Sequence, residues 1–235
     1  MGEKKFITNF FYQKHYSHAL IFSLVFSIII TLTTIFSWKF PEIGAQMKIS
    51  HFAFFYFNEW HRAFLCNFIH ADLSHLLSNL YMFITLSYLV YSYLGGWVTF
   101  LIPIVFASMA NIATVFFYDQ HTMLLGASTW IYALWGLWMP IYLFLNRRYI
   151  FPFRLVRLIG IGLIILFPTT FKPEISYLAH FFGFLFGAVG GVLYVYWQKD
   201  FILGFEKYQE ILIEDDLDFD QDHDTHSFSS SDKPV

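Results

Sequence analysis

Asp, Glu, Lys and Arg are missing from the most apolar stretches of this 235-residue chain, so chemistry there must come from Ser, His, Tyr and Asn. In GASTWIYALWG, residues 126–136, Ser128 falls in the first turn of an expected helix. Unpaired backbone N–H groups and the positive end of the helix dipole favour a developing anion at that place. A nucleophile there has the start of an oxyanion hole built in. Tyr132 and Gly136 follow at i+4 and i+8 along the same general face. The alternative is ordinary, because serines in membrane helices commonly back-bond to a carbonyl or help helices pack.

LAHFFGFLFGAVGG places His180 about five residues, near 7 Å, inside the outer end of another expected helix. Gly183, Gly187 and Gly191 share its face, and small residues at that spacing let two backbones approach closely. Glycine packing with an incidental histidine is one reading. The other takes an intramembrane histidine as functional and the close-packing face as what brings it to Ser128, which is expected at similar depth.

A third group is FIHADLSHLLSN, where His75 and Asn79 project from one helix face at i and i+4. Their side chains can donate to a tetrahedral oxyanion. The rival is a zinc site using His61, His70 and His75. HExxH and a carboxylate at ligand spacing are both absent, so no metal and no cofactor is expected.

The elements that must position these residues follow from composition. The chain is 57% hydrophobic and only 13% charged, too apolar for a soluble domain and ill-suited to binding nucleic acid at a net charge of -3. Charge-free runs lie at 15–38, 73–118, 120–146, 158–171 and 175–198, and the second is long enough for two spans with Gly95-Gly96 as a turn. Six helices are therefore expected, at about 17–38, 74–94, 97–117, 127–145, 155–170 and 175–197, the fifth with Arg157 snorkelling. The fold class is all-α, a polytopic six-transmembrane-helix bundle. The first apolar run is read as a retained span, being longer than a signal core and lacking a small-residue cleavage site.

The expected domains are a cytoplasmic N-terminal segment 1–16, a membrane domain 17–197 and an acidic, flexible cytoplasmic tail 198–235. Eleven acids against three Lys leave -8 on that tail, while the other residues carry +5. A solubilising tail and a docking segment both fit. Lys4, Lys5 and Lys14, with Arg147, Arg148, Arg154 and Arg157, put both termini on the cytoplasmic side. The first loop, about 39–73, then faces outward with eight aromatic rings from Phe52 to Phe68, either as an interfacial belt or partly embedded in the outer leaflet. No repeat is evident and, the snorkelling Arg157 apart, no acidic or basic residue sits within a span, which argues against ion-coupled transport. The single Cys66 excludes an internal disulfide.

At these residues the chain resembles the rhomboid family of intramembrane serine proteases, over roughly 59–191. The family's Gly-x-Ser-Gly is represented by Gly126, Ala127, Ser128 and Thr129, with Tyr132 at its tyrosine position. Ala179, His180, Gly183 and Gly187 match its sixth-helix motif, and His75 and Asn79 its second-helix motif, with His70 upstream. Glu59 and Arg62 match the first-loop motif, although Trp60 is one position early and His61 takes its place.

The resemblance implies Ser128 as nucleophile, His180 as general base, and His75, Asn79 and the Ser128 N–H as oxyanion donors, with Tyr132 holding the His180 ring. It implies hydrolysis of peptide bonds in or near transmembrane segments of membrane-protein substrates, in contact with lipid, at a site opening to the extracytoplasmic side. Movement of the fifth helix and of residues 168–174 is the expected control of entry. A bacterial plasma membrane is the expected location. Thr129, in place of a glycine, is expected to narrow the substrate cleft or impair catalysis. The alternative function is a catalytically impaired rhomboid-like protein that binds membrane clients.

Overall fold

The computed structural model describes residues 2–12, 15–166 and 176–212. Its helices in chain order are α1 Ala19–Lys39, α2 Pro41–Met47, α3 His51–Phe55, α4 Arg62–Leu65, α5 Leu73–Phe116, α6 Ser128–Leu145, α7 Phe151–Leu166 and α8 Tyr177–Leu203. Two strands, β1 Gly2–Thr8 and β2 Lys207–Leu212, pair antiparallel. The architecture is helical, as its charge-free runs require.

Among the described residues four helices, α1, α5, α6 and α8, are long and apolar enough to cross a membrane. At 44 residues α5 holds about 66 Å of helix in all, enough for two crossings of a hydrocarbon core of about 30 Å. Its helical path breaks at Gly95, where φ is 78°. A side chain there would meet the Tyr16 ring, with Cβ 2.9 Å from Cζ, so both the backbone conformation and the contact call for glycine. The expected helices 74–94 and 97–117 thus correspond to the two stretches of α5 on either side of Gly95.

The expected fifth span, 155–170, is placed differently. Helix α7 starts at Phe151 because Pro152 suits a first helical turn and Arg154 donates to the Leu143 carbonyl at 2.8 Å. Its 16 described residues cover about 24 Å, short of a full hydrocarbon thickness. Residues 167–170 of the expected span, and the loop 168–174, lie outside the described residues.

Helix α6 forms the centre. Trp130, Ile131, Leu134, Leu137 and Ile141 are fully buried. The Trp130 indole meets Phe26 of α1, Phe68, and Phe83 and Phe100 of α5. The surrounding helices turn apolar side chains outward, among them Ile21, Ile28 and Leu32 of α1, Val105 of α5, Ile164 of α7 and Leu193 of α8. That is the distribution expected when the solvent is lipid tails.

Towards the chain ends, α8 continues to Leu203, past the boundary expected at 197. Beyond it, Arg147 pairs with Glu206 at 2.7 Å, and β2 aligns Gly2 with Leu212 and Lys4 with Glu210. The first part of the expected flexible tail is therefore helix and strand. Its acidic stretch from Glu214 lies outside the described residues.

Candidate active site

The turn before α6 is tied to the loop between α1 and α5 at three levels. Leu124 exchanges backbone hydrogen bonds with Ile49, at 2.8 and 3.2 Å. The Gly126 N–H donates to the Cys66 carbonyl at 2.8 Å, and the Ala127 N–H donates to His70 Nε2 at 3.2 Å. Gly126 has φ 119° and lies under the His75 ring, so an added Cβ would stand 2.8 Å from Cε1. Only glycine suits that position on either count. Ser128, half-buried, is the first residue of α6, and no side chain caps that helix end. Its opening N–H groups are in the position where helices bind anions.

His180 lies one turn into α8, whose N-terminus is capped by Ser176 accepting from the Ala179 N–H. The Tyr118 hydroxyl, 2.6 Å from Ser176 Oγ, joins that cap to the end of α5. The His180 ring is buried and stacks on Tyr132, with centroids 4.1 Å apart and planes 12° from parallel.

Glycines set the approach of α6 and α8. Gly183, Gly187 and Gly191 lie over the carbonyls of Thr129, Ala133 and Leu137, and from α6 Gly136 lies over Phe184. Both helices advance by four between contacts, so they run parallel. At Gly183 a Cβ would be 2.6 Å from the Thr129 oxygen. In this register the backbones of Ser128 and His180 differ in level by only about 3 Å. Among the described residues no hydrogen bond joins the two side chains, so the helix contacts and the Tyr132 stack hold them near each other.

His75 reaches this turn through its ring contact with Gly126, and its backbone N–H donates to Asp72, which caps α5. Asn79 is arranged otherwise: its amide donates to the His75 carbonyl at 2.9 Å, and its buried Oδ1 has no partner. One amide proton is thus spent within α5.

His70 is occupied at both ring nitrogens, Nε2 by the Ala127 N–H and Nδ1 by Thr34 Oγ1 at 3.1 Å. Burial, with help from neighbouring His75, pushes its pKa down to about 3, so the ring is neutral. A zinc ion bound by His61, His70 and His75 would have to displace one of these two partners. Among the described residues no group of three His, Cys, Asp or Glu is placed to hold a metal.

The Thr129 side chain does not enter a cleft. It is buried between α6 and α8, with Cγ2 against the Gly183 backbone. Successive helical residues point about 100° apart, so Thr129 packed on Gly183 leaves Ser128 on another part of the α6 surface. The expected narrowing of a cleft by Thr129 is corrected accordingly.

In the first loop Arg62 pairs with Glu59 at 2.8 Å and donates to the Ala45 and Lys48 carbonyls at 2.7 and 3.1 Å. Trp60 is exposed and takes no part in that brace. Two contributors had no place in the motifs: Thr34 on α1, and the Cys66 carbonyl. A signal for Thr34 does exist in the sequence, because Ser23, Ser27, Thr34 and Ser37 recur along one buried face of an otherwise apolar helix.

Long apolar helices packed through glycines, with lipid-type side chains turned outward, mark an integral membrane protein. The rhomboid domain model matches residues 57–197, and the chain belongs to the rhomboid family, whose members are generally intramembrane proteases. Among curated proteins none matches the chain.

Proposed function

We propose that this protein is an intramembrane serine endopeptidase that cleaves membrane-protein substrates in or near their transmembrane segments through Ser128 and His180. The observation that carries the reading is the glycine register of α6 and α8, which brings the backbones of these residues to nearly one level. Ser128 Oγ attacks the scissile carbonyl. His180 accepts its proton and returns it to the leaving amine, and water then hydrolyses the acyl-enzyme. The Ser128 N–H and His75 receive the oxyanion, joined by the second amide proton of Asn79. Tyr132 holds the His180 ring. Gly126, Gly183 and Gly187 allow the close approaches on which the site depends. The residues named need no cofactor or metal for these steps.

The basic groups before α1 and between α6 and α7 support cytoplasmic termini and a site opening on the opposite side. Pairing of β1 with β2 agrees with both ends lying on one side. The short loops that join α5 to α6 and α6 to α7 support a bacterial plasma membrane.

A second reading, a rhomboid-like client binder without catalysis, is favoured by the missing Ser128–His180 hydrogen bond. Such bonds are often long in unliganded enzymes. Reaction with a fluorophosphonate separates the two: labelling of wild type that is lost in Ser128→Ala and in His180→Ala supports the protease. No labelling of wild type supports the binder.

A further inference from the structure

Thr34 sits on α1, outside every motif used above, and both it and His70 are fully buried. Its Oγ1 lies 3.2 Å from the Phe68 carbonyl oxygen and 3.1 Å from His70 Nδ1. A hydroxyl has one proton to give. The carbonyl can only accept, so that proton goes to Phe68, and Nδ1–H must donate to the Thr34 oxygen. A neutral imidazole carries one N–H, which leaves Nε2 with the lone pair that accepts from Ala127 at 3.2 Å. One hydroxyl thus fixes the direction of three hydrogen bonds.

One turn further along α1, the Trp38 indole donates to the His70 carbonyl at 2.7 Å and fixes its backbone. The His70 ring packs edge-on against His75, centroids 4.9 Å apart, and His75 covers Gly126. With the proton on Nε2 instead, two donors would confront each other at Ala127. The turn presenting Ser128 would then lose its anchor.

We propose that Thr34 is a positioning residue for the site: its hydroxyl selects the Nδ1–H tautomer of His70, which holds the turn carrying Ser128. This rests on Ser128 being the nucleophile. Thr34 acts through His70 and touches no substrate.

The test compares wild type with Thr34→Val, which keeps the shape, and Thr34→Ser, which keeps the hydroxyl. Nitrogen–proton spectra of histidine-labelled protein in micelles report the tautomer, with the His70 signals identified by their loss in His70→Gln. Fluorophosphonate labelling reports the site. Wild type and Thr34→Ser are expected to carry the proton on Nδ1 and to label alike. Thr34→Val is expected to shift His70 toward the other tautomer and to label about tenfold more slowly, as befits a buried donor left unpaired.

An Nε2–H tautomer in wild type overturns the assignment, as does an unchanged tautomer and labelling rate in Thr34→Val. If Thr34→Val does not fold, the wild-type and Thr34→Ser spectra decide. Wild type that does not label contradicts the protease reading, while the tautomer comparison still judges Thr34.

Discussion

The His180 imidazole lies flat on the Tyr132 ring, 4.1 Å between centroids, so residues on two different helices fix the plane of the proposed base. Parallel stacking restrains the ring against tilting and leaves its edge nitrogens free to face a hydroxyl or a leaving amine. The stack belongs to the six-membered ring and not to the Tyr132 hydroxyl.

Tyr132→Phe is therefore expected to keep substrate cleavage within about threefold of wild type, and Tyr132→Ala to lower kcat about tenfold, the scale of one aromatic pair. Steady-state cleavage of a transmembrane substrate reads both variants. Equal losses in the two would move the role to the hydroxyl.

Gly187→Ala drives a Cβ into the Ala133 carbonyl, whereas Gly160→Ala on α7 meets nothing within 4 Å. Gly187→Ala is expected to cost about 1–3 kcal/mol of stability. Gly160→Ala is expected to be neutral or to add about 0.5–1 kcal/mol through helix propensity. Unfolding in detergent measures both, and a tolerated Gly187→Ala contradicts the close parallel contact of α6 and α8.

Thr129→Gly removes a buried side chain from between α6 and α8 and adds chain freedom in a first helical turn. It is expected to lower stability by about 1–2 kcal/mol with no gain in cleavage rate. A faster enzyme would show that Thr129 faces substrate after all.

His70 gives a pH signature. Its pKa is about 3 in the fold against an ordinary value of 6.5, so below 6.5 the unfolded chain takes up a proton that the folded one refuses. Stability is thus expected to be full above about pH 6.5 and to decline as pH falls towards 3. Neighbouring His75 lowers its pKa further, and Asp72 raises it. Thermal unfolding across this range should show a shallower acid decline in His70→Gln. An unaltered slope would mean that His70 is not the group held neutral.

The sequence carries much of this site because its signals are local. Ser128 at the start of an apolar run, the His180–Gly183–Gly187 face and the glycine turn at Gly95 are each legible in a dozen residues, since helical period and chain flexibility are short-range properties. What stayed hidden depends on side-chain direction or on distant partners. Thr129 differs from Ser128 by one residue and is buried against the Gly183 backbone. The hydroxyl of Thr34 acquires its meaning only when α1 lies against His70. The start of α7 was obscured by Arg154 and Arg157, because counting charges overlooks a guanidinium bonded to a neighbouring carbonyl. The strands β1 and β2 pair across the whole chain, with nothing nearby in sequence to announce it.

The central claim is catalysis by Ser128 with His180. Purified protein incubated with a model transmembrane substrate measures it directly. The account predicts cleavage by wild type and none by Ser128→Ala or His180→Ala, with all three proteins folded. Cleavage that survives Ser128→Ala would contradict it.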